Sequence, residues 1–296
     1  MNHDAEPSSL TGGEAIEAVL AHQLREMVAN EQALRAQADP EALHDFRVAI
    51  RRTRSVVRLA RAYLPNELTR LWEPEWTWLA AETTHARDLD VLLDDIDRSR
   101  VAVALEDKGG LEELVEHLHA QRTEGQVTLS VTLAGDRYDT LVRGWGAVVA
   151  TLPASMRLTK ATRIADDAIG RAFKQFDSRA AGIKLHAPAE QLHDLRKRTK
   201  RLRYALELFG PLQSDERDRA LVKQSKKVQD HLGAFQDAEV QLQLIGRLAA
   251  RDDLSSDAKR AARHLSAELQ VRAAALRPEI KRTVKELRRA LRDAEV

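Results

Sequence analysis

The sequence predicts an all-α protein, two pseudo-symmetric helical bundles made by an internal duplication. Three observations predict it. Ala, Leu, Arg, Glu and Asp dominate while Gly (13), Pro (8) and aromatics (4%) are scarce, a composition that favours helix over strand. Several of the glycines and prolines sit where helices would start or stop. A His-Asp-x-Arg motif occurs twice, at His44 and His193.

Residues 1–11 read as a disordered tail, followed by a helix over about 13–38. Asp39-Pro40 is an N-cap with proline at the first helical position. It opens a helix that runs to about Tyr63 and stops at Leu64-Pro65. The next helix, about 67–84, carries Trp72, Trp76 and Trp78, which read as core packing. Another covers about 87–98. Gly109-Gly110 reads as a break, followed by helices at about 111–124 and 137–151, the latter stopped by Pro153. The second half predicts helices at about 160–180, 188–209, 215–232, 235–251, 256–276 and 278–293. Pro188 and Pro278 mark helix starts, and Gly210-Pro211 marks a stop. No segment has the alternation of a strand.

With 296 residues and 43% hydrophobic content, the chain can bury a large core in one domain or two fused halves. It has no cysteine, which excludes disulfides, thiolate catalysis and cysteine metal sites. Met1–Gly13 lacks a basic stretch leading into an apolar one, so no signal peptide is expected. No apolar run approaches the roughly 18 residues of a membrane span. The expectation is a cytoplasmic protein with no membrane partner. The charge is unevenly spread. Residues 44–61 hold six Arg against one Asp, and 193–203 hold six Lys/Arg against one Asp. Each strip is therefore +5, and with the whole chain at +1 the remainder carries −9. Two basic strips on an acidic body suit a local anionic ligand.

The repeat extends beyond the basic strips. Across 44–54 and 193–203, five of eleven residues are identical. Arg87-Asp88-Leu89-Asp90-Val91 aligns with Gln236-Asp237-Ala238-Glu239-Val240 at the same offset of 149 residues. Upstream, Leu20, Leu24 and Met27 align with Ile169, Phe173 and Phe176. Three regions in one register argue for duplication, and duplicated units commonly pack about a pseudo-two-fold axis. The repeats are set at about 12–151 and about 160–293.

Within the first basic strip, at about 100° per residue, Arg47, Arg51, Arg54 and Arg58 lie within about 60° of each other, beside His44. Phe46, Ile50, Thr53 and Val57 form an apolar stripe alongside. In the second copy His193, Arg196, Lys200 and Arg203 take the basic positions, and Leu195, Leu202 and Leu206 the apolar ones. Lys197 lies next to the row, whereas Arg52 and Arg201 point elsewhere. Like charges at i, i+3 and i+4 repel, so folding alone gives no reason to align them. The first row spans roughly 21 Å at 1.5 Å per residue, a length suited to a chain of phosphates, which arginine grips bidentately. Taken singly, either helix could be a solvated or ion-paired face. The shared register and sign favour a ligand.

His44 and His193 make poor metal ligands, with one per repeat and none at i+4. His-x-x-Arg is not specific for catalysis. Phosphate donors or helix-start structural residues fit the histidines best. Asp88 and Asp237 read as structural, orienting an arginine or capping a helix. Lys223 and Lys227 either extend the basic patch or are solvated. No Gly-x-x-x-x-Gly-Lys phosphate loop is present.

The paired His-Asp-[Phe/Leu]-Arg helices and the Arg-Asp-Leu-Asp-Val motif resemble the CHAD family, the "conserved histidine α-helical domain", over about residues 12–293. The resemblance implies two helical sub-bundles around a basic groove or pore that binds long-chain inorganic polyphosphate, with targeting to polyphosphate granules and contact with granule proteins. Carried over by position, its ligands are His44, Arg47, Arg51, Arg54 and Arg58 with His193, Arg196, Lys200 and Arg203. Lys197 and Lys227 are added as flanking cations. Glu207 stands where the first copy has Arg58, so the second row is shorter. CHAD domains often adjoin a β-tunnel domain with a Glu-x-Glu-x-Lys strand, and none is seen here. The expected protein is a stand-alone, non-catalytic binding module or adaptor without cofactor, metal or catalytic residues. The alternatives are a nucleic-acid-binding protein, disfavoured because Tyr204 alone among aromatics sits near the basic rows, and a histidine-dependent phosphohydrolase or phosphotransferase.

Overall fold

A computed structural model of the chain describes residues 11–37, 40–99, 108–156, 158–210 and 216–294. The expected tail (1–11, save Thr11), the Asp39 cap and Pro211 lie outside the described residues. Among those described, ten helices form: α1 (Gly12–Gln37), α2 (Pro40–Leu59), α3 (Asn66–Glu82), α4 (Thr84–Ser99), α5 (Lys108–Ala134), α6 (Asp136–Ser155), α7 (Ala161–Ala180), α8 (Ala189–Phe209), α9 (Glu216–Ala249) and α10 (Ser256–Asp293). No strand is present among them, only an isolated bridge between Thr11 and Lys160. The all-α expectation holds.

Several boundaries differ from expectation, each for a packing reason. α2 stops at Leu59, and residues 60–64 form a turn in which Tyr63 and Leu64 both donate to the Ala60 carbonyl. Gly109-Gly110 is not a break but part of the first turn of α5. A Cβ on Gly110 would lie 2.4 Å from the Asp257 backbone, so this glycine permits close approach of α5 to the start of α10. α5 also runs on to Ala134, because Leu129 and Leu133 are buried. The two helices expected at 215–232 and 235–251 are one, α9. Val228, Leu232, Phe235 and Ala238 are all at most 1% exposed, so a continuous core stripe overrides the helix-weakening effect of Gly233. The expected pair at 256–276 and 278–293 is likewise one helix, α10, with Pro278 in its interior. Buried Leu269 and Ala273 before Pro278, and Ile280, Val284 and Leu287 after it, hold both sides to the same core. Pro153 also lies inside its helix, α6.

The helices share one hydrophobic core. α1 packs on α2 and α6, α7 on α8, α8 on α9, and α9 on α10. Across the middle, α2 meets α8, α4 meets α9, α1 meets α7, and α5 meets α10. Trp76 is buried and Trp72 partly so, both packing edge-on against Trp145, while Trp78 packs at the core's edge beneath Arg137.

Candidate anion-binding site

The apolar stripes of α2 and α8 anchor them in the core. Phe46, Ile50, Val57, Leu195 and Leu202 are at most 2% exposed. Each basic row lies beside its stripe, so burying both stripes brings the two rows to the α2–α8 contact. There Arg51 Nε donates to the Tyr204 hydroxyl at 2.7 Å, joining row one to α8.

Around that link, Arg51, Arg196 and Lys200 form a half-buried group of like charges. Arg196 is depressed below the usual guanidinium range, first by burial, with Arg51 adding repulsion and Asp237 opposing. Its Nε is buried without a hydrogen-bond partner among the described residues. Burial, then Arg196 and Arg51, pushes the Lys200 ammonium down to about 7. Among the described residues no hydrogen bond or ion pair engages Lys200. Two carboxylates act on members of the group. Asp88 and Asp237 are both raised by burial, Asp88 further by Asp237, while Arg47 pulls Asp88 down and Arg196 and Lys200 pull Asp237 down. They act on Arg47, Arg196 and Lys200 through the field.

The remaining row members are engaged to different degrees. Arg47, depressed to about 10 chiefly by burial, donates to Thr83 Oγ1 (2.6 Å), Thr84 Oγ1 (3.2 Å) and the Ala80 carbonyl (3.3 Å) where α3 ends. Its counterpart Arg196 meets continuous α9, with Leu232 and Gly233 in place of those threonines, and among the described residues it gains no hydroxyl partner. Arg54 Nη2 donates to Thr77 Oγ1 at 3.3 Å, and its guanidinium is lowered by burial and by Arg58. Arg58 is exposed. Arg203 donates from Nε to Gln229 Oε1 (2.7 Å) and pairs with Glu207 at 2.5 Å. Glu207 thus neutralises the end of the second row. His44 is half-buried and lowered by desolvation, then by Arg87 and Arg51. His193 is exposed and its Nδ1 lies 2.7 Å from Gln236 Oε1.

Two of the expected cations lie outside this group. Lys197 is exposed and adds its field to Asp194. Lys227 Nζ lies 3.7 Å from Glu286 Oε2 on α10, with Glu279 also in its field. Arg201, read as pointing elsewhere, donates to Gln175 Oε1 of α7 at 3.0 Å and lies in the field of Arg58. The sequence reading missed Arg87, whose charge reaches His44, Arg47 and Asp237. The repeated acidic motif beginning at Arg87 was its only signal. It also missed the structural place of Tyr204, for which no signal exists within one helix.

Comparisons with known proteins place the fold. The CHAD domain pattern matches residues 18–246. The solved CHAD domain of the plant Ricinus communis is 29% identical, with a TM-score of 0.80 over 94% of this chain and 93% of that one. PptA from Streptomyces chartreusis, 17% identical, shares the fold with a TM-score of 0.72 over 93% of this chain and 100% of that one. No curated protein matches. With most of its length matched by that pattern, the chain belongs to the CHAD domain family.

Proposed function

We propose that the chain binds inorganic polyphosphate between α2 and α8, as a non-catalytic module or adaptor at polyphosphate granules. The observation that carries this reading is the crowding of Arg51, Arg196 and Lys200. Burial and the neighbouring cations destabilise the charged forms of Arg196 and Lys200, and an oxyanion would relieve both. A row of such groups along two helices suits a repeating anion better than a single phosphate. The CHAD resemblance implies the same ligand. The nucleic-acid alternative loses support from Tyr204, the aromatic beside the rows. It is 1% exposed and lies under Arg203, where no base can stack on it.

The test is a binding assay with long-chain polyphosphate, DNA and RNA, run beside a phosphate-release assay. Polyphosphate is expected to bind without turnover. Reversing charge at Arg51 and Lys200 together should nearly abolish binding, with helicity measured as the check that the chain still folds. Reversing Arg52 and Arg201 alters charge equally and should matter less. Loss of binding only in the second double variant would overturn the site, and steady phosphate release would overturn the non-catalytic reading.

A further inference from the structure

We propose that Tyr204 is a positioning residue: from α8 it aims Arg51 of α2 at the anion and holds the two basic rows in register. This rests on the polyphosphate reading above. Tyr204 sits on the buried side of the second basic helix, 1% exposed, yet it touches both rows. Its hydroxyl accepts from Arg51 Nε at 2.7 Å, its ring lies 4.8 Å beneath the Arg203 guanidinium, and Arg196 lies within its field.

The chemistry of the guanidinium makes this contact directional. With Nε–H committed to the phenol oxygen, the two Nη groups remain as a forked edge for phosphate oxygens. Arginine is long and rotamer-rich, so fixing it before the ligand arrives removes an ordering cost from binding. The device is one-sided. At the repeat offset, Ser55 stands in the place of Tyr204. Its hydroxyl donates back to the Arg51 carbonyl of its own helix at 2.8 Å and does not reach across to Lys200. Row one is therefore held by α8, while among the described residues Lys200 has no corresponding support.

Tyr204→Phe removes the hydroxyl and keeps the ring, so the buried packing survives. Affinity for long-chain polyphosphate is measured over a range of salt for wild type, Tyr204→Phe, Arg51→Gln and the double variant, with melting temperature as the folding control. Loss of an aimed guanidinium should weaken binding by about fivefold or more and make its salt dependence shallower, because one cation no longer displaces counterions. In the Arg51→Gln background, Tyr204→Phe should add nothing. Wild-type affinity and salt slope in Tyr204→Phe would overturn the role, as would an equal loss in both backgrounds, which would mean action independent of Arg51. Absence of polyphosphate binding by the wild-type chain would instead overturn the functional reading, and this inference with it.

Discussion

Lys200 is a cation whose charge the fold holds down. Its ammonium is held at about 7 by burial, then by Arg196 and Arg51, with Arg203 adding repulsion and Asp237 opposing. A polyanion stabilises the charged form, so binding draws a proton onto Lys200. Affinity for polyphosphate should therefore strengthen as pH falls through about 7, in titrations at pH 6 and pH 8. Lys200→Arg should flatten that step, because a guanidinium stays charged across the range. The sign for stability is opposite. Lys200 titrates lower in the folded chain than in the unfolded one, so the folded state holds fewer protons between about 7 and 10.5, and this residue makes stability rise with pH across that window. Lys200→Met should accordingly raise the melting temperature near pH 6 while weakening binding, the trade expected where function needs a strained charge. A melting temperature lowered by that change would show Lys200 to be a structural cation.

At the scale of the element, α2 and α8 hold the rows by their apolar stripes. Leu202 is 0% exposed, and Leu202→Ala should cost roughly 2–5 kcal/mol through the cavity it leaves, read by denaturant unfolding. Gly110 tests a different kind of packing. Alanine there meets the Asp257 and Ala258 backbone at 2.4–2.8 Å, which cannot rotate away, so Gly110→Ala should destabilise by roughly 1–3 kcal/mol despite its better helix propensity. Alanine at a mere helix break would be neutral or stabilising, so the sign of the change decides between the two. The helices also bear on the proposed duplication. α1 and α2 begin at residues 12 and 40, α7 and α8 at 161 and 189, each 149 residues later. α3 and α4 correspond in the same register to the single helix α9. Thr83, between them, gives Arg47 a hydroxyl that Arg196 lacks. A local difference in helix continuity thus makes two related rows unequal.

For the whole molecule, the decisive property is a concentrated positive centre in a nearly neutral chain of net charge +1. Binding there should weaken steeply with salt, since each phosphate neutralised releases counterions. Long polyphosphate should compete far better than pyrophosphate or orthophosphate, because each further phosphate finds another cation at high effective concentration. Competition assays at two salt concentrations measure both. Equal competition per molecule by pyrophosphate would point to a compact pocket, and indifference to salt would remove the arginine rows as the site. No helix among the described residues is long and apolar enough to cross a membrane.

The all-α class, the two basic rows and their buried partners Ile50, Val57, Leu195 and Leu202 were legible in the sequence, because composition and a repeat of 3.6 residues are local properties of one helix. The helix ends at Gly109-Gly110, Gly233 and Pro278 were not. Whether a glycine or proline breaks a helix depends on what packs against it, and only the assembled core supplies Asp257 beside Gly110 or the stripe spanning Gly233. The same limit applies to the cations. Sequence placed Arg47, Arg51, Arg196, Lys200 and Arg203 together as row members, with Lys227 as a flanking cation. Tertiary structure gave Arg47 to Thr83, Arg203 to Glu207 and Gln229, Lys227 to Glu286, and Arg51 to Tyr204, and left Arg196 Nε and Lys200 without partners among the described residues. Charge belongs to a residue, but whether it is satisfied depends on distances between helices far apart in the chain, and those distances exist only once the chain has packed.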